Sequence, residues 1–506
     1  MTPRESNRPV TLFLVLAAVS LASGSLAAQT STAGKQDPLA GTVSIGDAVQ
    51  LDNQAAPSAT VSLGAGTSAG TGQNKGTRAR QNKSTPGSNT QTNAAPVHLI
   101  YVHGINEIGP GDSSLLRTAI CRYLKECIQK PMGPVLYANG PFGPDSAVPN
   151  LTYLNQPIWA SKAEWTASTP FVQRYWISGS GHAPIVLDEL NWYPLVYPLK
   201  CKFLLPNDER LAGSASNLDA ACRPAVTSQG GGYDWQPDAA IVDNEVRAQQ
   251  ATLVNRQLKF NLMDWGFGDA VLALGPMQEI LCAAIRQLLL QSLELPTVDP
   301  DGNPVLASKD DVQVFFVTHS LGSFLALAAI DSEWGGAKAP ELSAFQMSDD
   351  QKTASDFFAA HTEGLYFLAN QIALLELAHL TPCKKWEGDC AGVDAGSDTG
   401  SDTGSGQTSL SPSAATAHYA QRRQQYLDTH PSAKARQSHA QIIAWSAADD
   451  LLSWYVPKTP NLNAINLPAR NSSFRIPGII AGPGAVHGNY AKNKSIVKTI
   501  LEPNKK

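Results

Sequence analysis

Four short stretches carry residues that could do chemistry together. The first is Thr318-His319-Ser320-Leu321-Gly322, set between the mostly apolar run 312–317 and a second run rich in Leu, Ala and Phe. The first run reads as a buried strand and the second as a buried helix, which puts Ser320 on the turn between them. A serine hydroxyl becomes a useful nucleophile only when a base takes its proton and donors stabilise the developing oxyanion. At such a turn Ser320 projects from the backbone, and the helix beginning at Leu321 directs its free N–H groups to the same spot. Thr318 and Gly322 are small enough for strand and helix to approach. Taken alone, the pentapeptide fits a serine helix cap equally well.

The other three stretches supply what a nucleophile needs. His103-Gly104-Ile105-Asn106 follows the apolar strand candidate Val97–Val102. A glycine turn follows that strand. Asp449 and Asp450 follow a strand candidate at 441–446. His487 sits in the glycine-rich stretch 481–488, between a strand expected over 472–480 and a helix over 492–501. A histidine can take the serine proton, and an acid can fix the tautomer of its imidazole and balance the charge that forms. Either Asp450 or Asp449 could be that acid, and the other would cap the turn at Leu451.

These residues need a scaffold. Further strands are expected at Phe171–Ser178, 184–190 and 364–369, and helices at 113–130, 241–263 and 269–293, the last broken at Gly275-Pro276 and packed under the serine strand. Asn370, at the end of a strand, is expected to cap the helix after it. Glu189, a charge in an apolar strand, reads as the centre of a buried network. The aromatic segment 192–205 is a lid or, by the favoured reading, ordinary core.

In these motifs the chain resembles the α/β-hydrolase superfamily, in its lipase and esterase-like branches, over about 97–130 and 312–500. The resemblance implies an α/β-hydrolase fold, a mostly parallel sheet flanked by helices. It also implies a triad of Ser320, Asp450 (the favoured acid, with Asp449 the alternative) and His487 in that chain order, an oxyanion hole made by the backbone N–H of Leu321 with that of Ile105 or Asn106, carboxylic-ester or lipid substrates, and no metal or organic cofactor. Thr318 departs from the usual glycine. The first two strands of the family have no counterpart, because the chain before Val97 is low in complexity. Either the sheet is trimmed at that edge or later strands replace them. A long insertion, 131–311, precedes the serine strand. A thioesterase or acyltransferase would use the same residues; a non-catalytic surface-binding protein on this fold is the alternative from another class.

The rest of the chain sets the context. Residues 1–28 read as a secretory signal, with Arg4 and Arg8 before a short apolar core and small residues at Ala27 and Ala28. A secreted or periplasmic location follows; an uncleaved membrane anchor is the alternative. Residues 29–94 are a low-complexity segment expected to be disordered, 95–506 the hydrolase domain, and 391–412, with its SDTG repeat, a flexible insertion. Seven cysteines fit an oxidising compartment. Cys383 is expected to pair with Cys390 and Cys201 with Cys222. Cys121 and Cys127 fall in one helical pattern, where a spacing of six keeps the side chains apart, and Cys282 is expected to be buried. With a net charge of −5 and no Lys/Arg-rich run beyond the dispersed basic residues near Lys75 to Lys83, nothing points to a nucleic-acid partner, whereas contact with a lipid surface is compatible with this charge.

Overall fold

The computed structural model describes residues 97–104, 111–136, 140–143, 145–153, 155–200, 268–275, 277–294, 313–331, 340–379, 411–431, 442–450, 452–457, 463–469, 475–476, 480–481 and 483–502. Ile105, Asn106, segments 1–28, 29–94, 241–263 and 391–412, and the expected Cys201–Cys222 and Cys383–Cys390 pairs lie outside these residues.

In chain order the strands are β1 (Val97–Val102), β2 (Ile128–Leu136), β3 (Thr152–Tyr153), β4 (Gln156–Pro157), β5 (Phe171–Ser178) and β6 (Ile185–Asn191). They continue as β7 (Gln313–His319), β8 (Thr362–Leu368), β9 (Ile442–Ser446), β10 (Ala464–Pro468), β11 (Arg475–Ile476) and β12 (Ile480–Ala481). The helices are α1 (Ser114–Leu124), α2 (Lys162–Ala167), α3 (Gly268–Leu274), α4 (Met277–Glu294) and α5 (Gly322–Ile330). After them come α6 (Asp349–His361), α7 (Ile372–Leu375), α8 (Pro412–Thr429), α9 (Pro483–Gly488) and α10 (Lys494–Leu501).

Eight strands form one sheet in the order β10-β9-β8-β7-β1-β6-β5-β2. The six from β10 to β6 run parallel, and β5 and β2 add antiparallel at one edge. Successive side chains of a strand face opposite sides, and the strands here are apolar on both. Ile100, Val102, Phe316 and Phe367 pack on one face against α4, α5, α6 and α8. Leu99, Tyr101, Val317 and Trp445 pack on the other against α1 and α10. The result is an α/β architecture with helices on both faces of a mostly parallel sheet. The edge next to β1 is filled rather than trimmed: later strands, β6 and then β5 and β2, occupy it. Segment 131–200 therefore builds the sheet itself.

Several expectations are corrected. The helix from 113 does not run to 130. It ends at Leu124, Lys125 and Glu126 turn the chain with positive φ of 53° and 44°, and Ile128 starts β2. That turn brings Cys127 back onto Cys121, and the two form a disulfide across a Cα–Cα distance of 5.0 Å. The spacing of six argued against a pair only as long as the helix continued. The last strand of the sheet is β10, not 472–480, where β11 and β12 make a separate antiparallel pair. His487 sits in the short helix α9 rather than in a loop; Pro483 at its first position has the φ that a helix start requires.

Helix α3 and helix α4 meet at a 91° bend around Gly275, as the Gly-Pro break predicts. Helix α4 packs on α5, α6, β5 and β6, in the same core layer as Val314 and Phe316 of the serine strand. Trp192, Leu195, Val196 and Tyr197 are at most 2% exposed, so residues 192–200 are core and not a lid. Cys282 is buried.

Candidate active site

The parallel strands β6, β1, β7, β8 and β9 all end at the same edge of the sheet, and each expected site residue that the structure describes follows one of those ends or packs against it. At the end of β7 the chain makes a sharp turn. Ser320 has φ 54°, a left-handed conformation rare for a non-glycine residue. Its N–H is held by the carbonyl of Leu368 at the end of β8 (2.8 Å). Helix α5 then starts at once, with Leu321 fully buried at its entry.

The turn is possible because two glycines line the seam between β1 and α5. A Cβ on Gly322 would lie 2.3 Å from the Val102 carbonyl oxygen, and one on Gly104 would lie 2.5 Å from Ser320 Cβ. Thr318 is fully buried, and its hydroxyl is 2.8 Å from that of Ser323 in the first turn of α5.

The acid and the base meet. Asp450 ends a tight turn closed by its own N–H on the Ala447 carbonyl (3.0 Å). His487 Nδ1 lies 3.0 Å from both carboxylate oxygens of Asp450. Leu452 N–H adds a bond to Oδ1 (3.0 Å) and the Tyr490 hydroxyl one to Oδ2 (2.9 Å). Asp449 is exposed on the same turn, so the alternative acid is not the one that touches histidine. With Nδ1–H given to the carboxylate, His487 Nε2 carries the lone pair. Both Nε2 and Ser320 Oγ are buried and have no hydrogen-bond partner, including each other.

His319, adjacent to the serine, links the two halves. Its ring centre lies 4.9 Å from that of His487, and its Nε2–H donates to the His487 carbonyl (2.9 Å). Burial first, and the neighbouring His487 second, lower its affinity for a proton below the ordinary histidine value. Neither His319 nor Tyr490 stood out in the sequence. The signal that was there is spacing: Tyr490 follows His487 by three residues, one helical turn.

The loop carrying the acid is anchored at its far end as well. Asn370 Nδ2–H and the Ser446 hydroxyl both donate to the Trp454 carbonyl, at 2.6 Å and 2.7 Å, and Trp454 N–H returns a bond to Asn370. Asn370 Oδ1 also accepts from Ile372 N–H, which is the expected cap. Glu189 proves to be a buried hub. It accepts from the backbone N–H groups of Gly111 (2.7 Å), Asp112 (3.2 Å) and Ser113 (3.4 Å), and from the Ser113 hydroxyl (2.5 Å). Burial raises its carboxyl above the ordinary range, and the bonds from Ser113 and Gly111 oppose that shift. It thereby pins residues 111–113 at the entry to α1.

His103 is fully enclosed. Its ring stacks on Trp192 at 4.8 Å, Nδ1–H donates to the Gly104 carbonyl (3.0 Å), and its own carbonyl accepts from Trp192 Nε1–H (3.2 Å). Burial lowers it from 6.5 to about 4. Unfolded, His103 takes up a proton as pH falls through 6.5; folded, it does so only near 4. Between those values the unfolded state holds more protons, so stability is present above the window and is lost as pH falls through it. The expected loss is about 3 kcal/mol across the window. Urea titrations at pH 7 and pH 4, compared between the wild type and His103→Asn, check it; equal pH dependence of the two proteins would refute it.

Among the described residues no group of three His, Cys, Asp or Glu side chains is arranged to hold a metal ion. No family model, curated protein or solved structure matches this chain.

Proposed function

We propose that this chain is a serine hydrolase of the α/β-hydrolase fold, acting on carboxylic esters, lipids among them. The observation that carries the reading is the Asp450–His487 pair, with Nδ1 of the imidazole on the carboxylate and Nε2 buried without a partner. It lies one residue contact away from a serine in a strained strand-to-helix turn. A left-handed serine is costly for the fold and recurs where the strain serves a site.

In the proposed reaction Ser320 Oγ attacks the ester carbonyl while His487 Nε2 takes its proton. Asp450 holds the imidazole in the tautomer that leaves Nε2 free and balances the charge it gains. The N–H of Leu321, with that of Ile105 or Asn106, receives the oxyanion. The protonated histidine then delivers its proton to the leaving alcohol, which departs and leaves an acyl group on Ser320. Water, activated by the same histidine, hydrolyses that ester and regenerates the serine. A thiol leaving group or an alcohol acceptor would make the same residues a thioesterase or an acyltransferase. Export through the 1–28 signal segment is part of the proposal, and the Cys121–Cys127 disulfide is in keeping with an oxidising compartment.

The test is a fluorophosphonate probe, which forms a stable adduct only with an activated serine. The expected result is one adduct per chain, mapped to Ser320 by peptide mass, and blocked by prior incubation with a hydrolysable ester. A folded protein that forms no adduct, in buffer or with detergent, would sink the hydrolase reading. An adduct on another serine would move the site.

A further inference from the structure

The carboxylate of Asp450 is bound more symmetrically than its pairing with histidine alone would produce. His487 Nδ1 is 3.0 Å from each oxygen. Such an evenly shared N–H is a weak arrangement, since a carboxylate free to turn would offer one oxygen head-on. Here it is not free to turn. Oδ1 takes a second bond from Leu452 N–H and Oδ2 a second from the Tyr490 hydroxyl, so each oxygen is tethered on its far side. The Leu452 tether is backbone within the same turn. Tyr490 comes from outside it, on the segment that carries the base.

Tyr490 is fully buried, and its hydroxyl is used twice. It donates to Asp450 Oδ2 and accepts the N–H of Ala447 (2.7 Å). Ala447 and Asp450 are the two ends of the tight turn closed by the Asp450 N–H on the Ala447 carbonyl. One oxygen atom therefore grips both ends of the acid's turn. Burial, and after it the Asp450 charge, push the phenol above its usual value, so it remains a donor across the working pH range.

We propose that Tyr490 is a positioning residue of this site: its hydroxyl locks the Ala447–Asp450 turn and the carboxylate rotamer against the segment that carries His487. The catalytic consequence rests on the hydrolase reading; the clamp on Asp450 does not. Because His487 and Tyr490 are three residues apart, a shift of that segment moves the base and the tether of the acid together. The Asp450–His487 distance is then preserved while the pair as a whole settles against Ser320.

The experiment compares wild type, Tyr490→Phe, Asp450→Asn and the double variant, with circular dichroism and thermal melts to report folding. Tyr490→Phe is expected to lower kcat, and the rate of reaction with a fluorophosphonate, by about tenfold, with KM within about twofold, since misplacement acts on the reacting geometry and not on substrate binding. In the Asp450→Asn background the same change should have less than about a twofold effect, because the histidine there already carries its proton on Nε2 and positioning its partner no longer helps the reaction. The second readout needs no substrate. The downfield proton resonance of His487 Nδ1–H, held between both carboxylate oxygens in the wild type, should broaden by exchange in Tyr490→Phe. In wild-type protein alone, an Overhauser contact between a slowly exchanging Tyr490 hydroxyl proton and Ala447 N–H is expected, and it stands even if the variant does not fold. An unmoved His487 resonance in folded Tyr490→Phe, an equal kinetic loss in both backgrounds, or a rapidly exchanging Tyr490 hydroxyl would overturn the clamp. A wild type that forms no fluorophosphonate adduct would overturn the hydrolase reading alone, and the proton resonance would still decide the role of Tyr490.

Discussion

Ser320→Ala and His487→Ala are each expected to lower kcat for ester hydrolysis by roughly 10⁶-fold, and Asp450→Asn by roughly 10⁴-fold, with KM little changed in all three. The reason for the smaller third number is specific. Asparagine keeps the shape of aspartate but presents an N–H where Asp450 offers an oxygen. To pair with it, His487 must accept at Nδ1, which places its proton on Nε2. The base then faces Ser320 with a donor and cannot take the hydroxyl proton. The losses should not add: once Ser320 is gone, removing His487 or Asp450 changes little further, because the three act on one proton. Asp449→Asn, on the exposed side of the same turn, should stay within about twofold of wild type. Steady-state kinetics on a short-chain ester with the wild type, these four variants and the two double variants that combine Ser320→Ala with His487→Ala or with Asp450→Asn checks the set. Full additivity, or a large loss in Asp449→Asn with little in Asp450→Asn, would mean that the acid or the mechanism has been misassigned.

What the sequence reveals and what it hides divides along the range of the interaction. Ser320, Asp450 and His487 were legible because each is announced locally, by an apolar run that ends and a turn or helix that begins. Strand β7 is buried except at its two ends, Gln313 and His319, and helix α5 is buried throughout, and no tertiary context competes with that reading. The preference for Asp450 over Asp449 came instead from the resemblance, which sets the acid a few residues before an aliphatic pair and a proline, here Leu451-Leu452 and Pro457. The errors arose where a pairing partner decides the structure. Residues 464–468 (AINLP) are too short and too mixed to read as a strand; they become β10 by pairing in parallel with β9. Segment 128–136 contains Pro131 and Pro134, which argue against a strand. It is tolerated at the sheet edge, with a register shift between those two residues. The Cys121–Cys127 bridge was missed because a helix boundary moved by a few residues changes which side chains can meet. Tyr490 was hidden for a different reason. Its role is defined only by Asp450, 40 residues earlier, and a tyrosine before a C-terminal helix carries no signal of its own.

The seam between β1 and α5 is where stability and chemistry depend on the same atoms, and Gly322→Ala should damage both. The added Cβ would meet the Val102 carbonyl oxygen at 2.3 Å, the His103 carbonyl oxygen at 2.6 Å and the Val102 carbonyl carbon at 2.9 Å. All three are backbone atoms of the central strand and its exit, so no side-chain rotation relieves the clash. Either α5 lifts away from β1 or the strand end shifts; overpacking of this kind costs about 3 kcal/mol. Ser320 sits between the two, so either movement also tilts the nucleophile away from His487. Gly104→Ala should separate the two effects. Its Cβ would lie 2.5 Å from Ser320 Cβ and 2.8 Å from the His319 carbonyl oxygen, at the turn itself rather than along the helix. The expected result is a larger loss of fluorophosphonate reactivity, on the order of 100-fold, for a smaller loss of stability. Gly488→Ala serves as the reference, since a Cβ there meets nothing within 4 Å, and its urea midpoint should match the wild type. Urea titrations of the three variants beside their labelling rates test the seam directly. A Gly322→Ala protein as stable and as reactive as wild type would show that strand and helix lie farther apart than described, and the strained turn at Ser320 would lose its structural cause.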